Sequence, residues 1–91
     1  MVYEKLTSIA GPEVFARAKR FFAERVPLSA AYPEQEGPGY LVLRGQGGEE
    51  IAIAVVPGPN GATRIRASTL LFDQPLDQFL QTLPPVQELV A

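Results

Sequence analysis

Three turns rich in glycine and proline cut the middle of this chain into strand-length pieces, and they commit it to an antiparallel sheet. The turns are Gly37-Pro38-Gly39, Gly47-Gly48 and Pro57-Gly58-Pro59-Asn60-Gly61. Strands joined by so few residues cannot run parallel, because a parallel return needs a crossover of a dozen residues or more. The pieces between the turns alternate with period two, so each has a sorted pair of faces. Segment 40–45 sets Leu41 and Leu43 against Tyr40, Val42 and Arg44. Segment 50–56 sets Ile51, Ile53 and Val55 against Ala52, Ala54 and Val56. Segment 62–70 sets Thr63, Ile65, Ala67 and Thr69 against Arg64, Arg66 and Ser68. Segment 28–36 precedes them. Its Pro33 lacks a ladder donor and marks an edge strand.

Two helical patterns flank the meander. Gly11-Pro12-Glu13 is a helix start, with Pro where a missing N–H costs nothing. From there to about Arg25, Val14, Phe15, Ala18, Phe21 and Phe22 gather on one stripe. Pro27 ends the run. The second helix begins near Asp73, read as its cap, with Pro75 in the first turn. Leu76, Phe79, Leu80 and Leu83 follow at i, i+3, i+4 and i+7, and Pro84-Pro85 stops it. Segment 2–9 alternates as a first strand. The expected fold is α+β, a two-layer sandwich in the order β-α-β-β-β-β-α. Its antiparallel sheet carries both helices on one face, in a single domain over residues 1–91.

Composition removes several function classes. The chain has 91 residues, 46% of them hydrophobic, enough for one modest core. It contains no Cys and no His, so disulfides, thiolate nucleophiles and the commonest general base and zinc ligand are missing. Catalytic residues, metal ligands and cofactors are accordingly expected to be none. Eight Lys and Arg against ten Asp and Glu leave a net charge of −2, without the basic excess that phosphate binding uses. No nucleic-acid partner is expected. Met1–Ala10 shows no signal-like apolar run, and the apolar run 51–57 is too short for a bilayer, so the expected setting is cytoplasmic, away from membranes. Six Arg to two Lys is compatible with a thermophilic source.

The candidate ligand-binding residues are arginines. Arg64 and Arg66 share one strand face by period two, and Arg44 joins them if the registers allow. Guanidiniums on an open sheet can take a carboxylate or phosphate bidentately, or simply pair with Glu4, Glu34, Glu36 or Glu50 across the sheet. Arg25 falls within the apolar stripe of the first helix, where it either anchors an acid group or snorkels toward the last carbonyls. Glu49, Glu50, Asp73 and Asp77 offer at most acid-only chemistry, with nothing beside them to direct it. Val86, Leu89 and Val90 in the tail can dock on a partner or pack on their own sheet.

The element order, and the close at Pro57 to Gly61, Ala62-Thr63-Arg64-Ile65-Arg66-Ala67-Ser68 and the helix 75–83, resembles the TATA-binding-protein-like arrangement. Within it the closing stretch looks most like the helix-grip pattern of START and polyketide-cyclase-like ligand carriers, in a reduced form. The resemblance implies a ligand between helices and sheet, lined by Phe15, Phe22, Phe79 and Leu80 and anchored by Arg25 or Arg66. Read from the residues, Ala52, Ala54, Val42 and Val56 form an outer face of small apolar groups that another layer can approach closely. A second copy of the chain is the simplest such layer. Two readings therefore lead, a non-enzymatic, self-associating homodimer and a reduced module for a small apolar or anionic ligand, with a hydrolase or isomerase using Asp or Glu alone kept behind them.

Overall fold

The computed structural model describes residues 2–25 and 30–86. Five strands, β1 (Val2–Thr7), β2 (Ala31–Gly37), β3 (Tyr40–Gly45), β4 (Glu50–Pro57) and β5 (Thr63–Thr69), form one antiparallel sheet in the order β1-β5-β4-β3-β2. Helix α1 (Gly11–Ala23) joins β1 to β2, and α2 (Asp73–Gln81) follows β5. The domain is the expected α+β sandwich. Strands β2 to β5 are the meander, and β2 lies at an edge as Pro33 requires.

One sheet face and both helical stripes make the core. Leu41, Leu43, Ile51, Ile53 and Ile65 are buried together with Val14, Phe15, Ala18 and Phe22 of α1 and Leu76, Phe79 and Leu80 of α2. Each large side chain taken from water there contributes about 1.5–3 kcal/mol. The rings of Phe21, Phe22 and Phe79 meet between the helices, with centroids 5.1, 5.4 and 5.7 Å apart. Such tilted and edge-on contacts suit the ring quadrupoles. Among the described residues no buried side-chain polar atom lacks a partner. Thr7, fully buried, donates its hydroxyl to the Pro84 carbonyl at 2.7 Å. Also among the described residues, no helix is long and apolar enough to cross a membrane.

The loops follow turn chemistry. Pro38-Gly39 alone links β2 to β3, whose last pair is Gly37 with Tyr40. Between β3 and β4, Gly48 donates its N–H to Gly45 O and takes φ +90°, a conformation that strains any residue with a Cβ. Asn60 and Gly61 take positive φ in the 3₁₀ turn before β5.

The boundaries differ from expectation in several places, among them β1, which ends at Thr7 rather than at Ile9. Helix α1 ends at Ala23: Glu24 N–H still reaches Arg20 O at 3.2 Å, but the next amide, Arg25 N–H, turns to Phe22 O at 3.4 Å. Helix α2 ends at Gln81, where Thr82 donates its hydroxyl to Phe79 O at 2.6 Å. Asp73 does not cap α2: Phe72 holds that position, and Asp73 instead accepts a hydrogen bond from Tyr3 Oη at 3.0 Å. Strand β2 is described from Ala31 on. Pro27, Leu28, Ser29, Leu89 and Val90, which figured in the sequence reading, lie outside the described residues.

Candidate functional site

The helices cover one face of the sheet, and no described element packs on the other. Period-two alternation decides which side chains that outer face receives. Paired strands bring Val2, Ser68, Ala52, Val42 and Gln35 into one row, and Glu4, Arg66, Ala54 and Tyr40 into the next. Leu6, Arg64 and Val56 form a third row, and Glu50, Arg44 and Tyr32 a fourth at the opposite end. Val2, Tyr32, Tyr40 and Val56 of this face are each about half exposed. Leu70 continues the face's parity past β5 and is 88% exposed, and Leu71 beside it is 72% exposed. Single exposed hydrophobics are ordinary, but a contiguous set on one uncovered face marks an interaction surface.

Two shallow grooves shape the face. One of about 300 Å³ has Val42, Ala52 and Ala54 as its floor, with Tyr40, Arg66 and Ser68 around them. The other, about 390 Å³, runs from Val2 and Ser68 past Arg44 and Glu50 to Leu70 and Leu71. The alanines in the middle are what keep the floor low.

The arginines separate into three situations. Arg44 is fixed by its neighbours: Nε and Nη2 donate to the two Glu34 oxygens at 2.9 and 2.8 Å, Nη1 to Gly48 O at 3.0 Å, and Nη2 also to Glu50 Oε1 at 3.4 Å. Tyr32 is the register partner of Arg44, and Glu34 reaches the guanidinium from the β-bulge between Pro33 and Gln35. The bidentate bond holds the Glu34 carboxyl below its ordinary pKa and raises that of Arg44. Arg64 and Arg66 are exposed on β5, and no ion pair holds either among the described residues. Strand spacing and rise put the Arg66 Cα roughly 16 Å from that of Arg44, too far for one small anion to engage both. Arg25 stands on the helical side, 4.8 Å over the Phe21 ring, with Nη2 donating to Gln78 Oε1 at 2.7 Å. The sheet therefore lies between Arg25 and the other three.

Two further features escaped the sequence reading. Tyr3 links the first strand to the second helix through Asp73, and its pKa rises because of partial burial, then the hydrogen bond to Asp73 and the charges of Asp73 and Asp77. Tyr32 and Leu70 belong to the outer face, which the alternation of β2 and β5 would have shown if followed one residue beyond each strand's core. Phe22 and Phe79 are fully buried, and neither groove of the outer face is lined by Phe15, Phe22, Phe79 or Leu80.

Comparison with protein-family models, with curated proteins and with solved structures gives no match for this chain. What the fold and the face define by themselves is a class: a two-layer α+β domain with one packed and one open sheet face.

Proposed function

We propose that this protein is a non-enzymatic interaction module that pairs with a second copy of itself through the outer face of its sheet. The observation that carries the reading is the gathering of the exposed hydrophobics on the one face left open by the helices. Area supports it. Five strands about 4.8 Å apart and some six residues long at about 3.3 Å outline roughly 480 Å² in projection. Side-chain relief adds to that, so two copies bury on the order of 1,000 Å² or more, the lower range of specific interfaces. Charge supports it as well. Glu4, Glu34 and Glu50 balance Arg44, Arg64 and Arg66, so the face is neutral while the chain carries −2. Two such faces meet without net repulsion.

The alternative, a reduced helix-grip module holding a small apolar or anionic ligand, needs space between helices and sheet. The ring-to-ring contacts of Phe21, Phe22 and Phe79 occupy the place where that ligand would lie, which weighs against it. The dimer reading keeps the cytoplasmic setting, since a cysteine-free chain asks nothing of an oxidising compartment.

Sedimentation equilibrium tests the reading. The wild-type chain is expected to associate at micromolar concentrations. Ala54→Arg, at the exposed centre of the face, is expected to be monomeric, with folding stability changed by no more than about 0.5 kcal/mol as at other surface sites. A wild-type chain that stays strictly monomeric at high micromolar concentration overturns it.

A further inference from the structure

We infer that the two copies are related by a two-fold axis lying between the sheets and running along β4, an inference that rests on the dimer proposed above. Strand β4 is the middle of five, so an axis along it exchanges β5 with β3 and β1 with β2. The outer face is electrically divided in the same way. Its β1–β5 half holds Glu4, Arg64 and Arg66, a sum of +1, its β2–β3 half holds Glu34 and Arg44, a sum of zero, and Glu50 lies on the axis strand β4 itself. An axis along β4 lays the positive half of each copy on the neutral half of the other and keeps the two positive halves apart. The competing axis, across the strands, returns β5 to β5 and gathers Arg64 and Arg66 of both copies along one facing pair of strands. Like charges facing each other is the arrangement that interfaces avoid.

Steric fit follows the same axis. A residue on a two-fold axis meets itself, and the residues of β4 at the centre are Ala52 and Ala54, small enough for two backbones to come close. Arg66 shares a row with Tyr40, so each Arg66 comes to lie over the partner's Tyr40 ring, a favourable seat for a cation. Leu70 of each copy is carried toward the groove beside the partner's Arg44. Glu50 also lies on β4, about 10 Å from its midpoint by strand rise. Aligned sheets cross at about 30°, which moves the two β4 ends apart by about one strand spacing. Each Glu50 also lies 3.4 Å from Arg44 Nη2 of its own chain.

Cysteine cross-linking reads the axis, because the chain has no Cys of its own. Facing sheets stand about 10 Å apart, within reach of a short bis-maleimide. Ala52→Cys and Ala54→Cys, each alone, are expected to give more than half covalent dimer on a denaturing gel. Arg66→Cys mixed with Tyr40→Cys is expected to give a linked pair, and Arg66→Cys alone less than a tenth of that yield. Linking of Arg66→Cys to itself, or of the two alanine variants only when mixed, overturns the axis. Sedimentation of the same samples separates the two levels of failure. Dimers with the wrong links overturn the axis and leave self-association standing, whereas monomers overturn both.

Discussion

Replacing Phe79 by Ala tests whether the interior is full. The ring is completely buried and touches the rings of Phe21 and Phe22 at centroid distances of 5.4 and 5.7 Å. Removing it forfeits the transfer free energy of the ring and leaves a cavity, together about 3–5 kcal/mol in a close-packed core. A chain of this length is expected to have a total stability of roughly 5–14 kcal/mol. The change therefore takes from about a fifth of it to the whole. With a urea slope of about 1 kcal/mol per molar, the midpoint drops by roughly 3–5 M. Because dimerisation adds stability that depends on concentration, the comparison belongs on an Ala54→Arg background. Phe79→Leu keeps most of the volume and is expected to cost less than about 1.5 kcal/mol, which keeps the series measurable if the alanine variant does not fold. A cost for Phe79→Ala below about 1 kcal/mol would refute the reasoning, since it would mean that the ring was not filling space and that the sandwich has room for a ligand.

Three further outcomes follow from local geometry. Tyr3 has a raised pKa in the folded state, so the unfolded chain loses this proton first as pH climbs. Its contribution is therefore intact below pH 10 and lost above it, and Tyr3→Phe should flatten the alkaline limb of a stability–pH curve. Glu34 has a lowered pKa, so its contribution is present above the ordinary glutamate pKa and disappears as pH falls through the folded value. Glu34→Gln should flatten the acid limb, as followed by urea midpoints. Gly48→Ala places a Cβ on a residue at φ +90° and should destabilise by about 1 kcal/mol or more in thermal unfolding.

Much of this architecture is written in local pattern. Strict alternation in β3, β4 and β5 assigns Leu41, Leu43, Ile51, Ile53 and Ile65 to the core and Ala52, Ala54, Arg64 and Arg66 to the open face, and the structure has them there. Proline placed β2 at an edge. The position of β1 beside β5 carries no such local mark, because it depends on how α1 crosses the sheet. The bulge at Glu34 is equally invisible: it adds one residue to β2, which brings Gln35 into the outer row and turns Glu36 to the helix side, where it pairs with Lys19 of α1. Asp73 looked like a cap because Asp favours that position, but Tyr3, seventy residues away in sequence, claims its carboxylate. The separation of Arg25 from Arg44, Arg64 and Arg66 likewise needed the layers themselves.

The claim on which the account turns is that the open sheet face is where this chain meets another copy of itself. Backbone amide resonances followed through a dilution series report the surface directly. Concentration-dependent shifts are expected at Val42, Ala52, Ala54, Arg66 and Ser68, with Val14, Ala18 and Leu76 unmoved. Shifts confined to the helices, or none anywhere up to millimolar concentration, would contradict it.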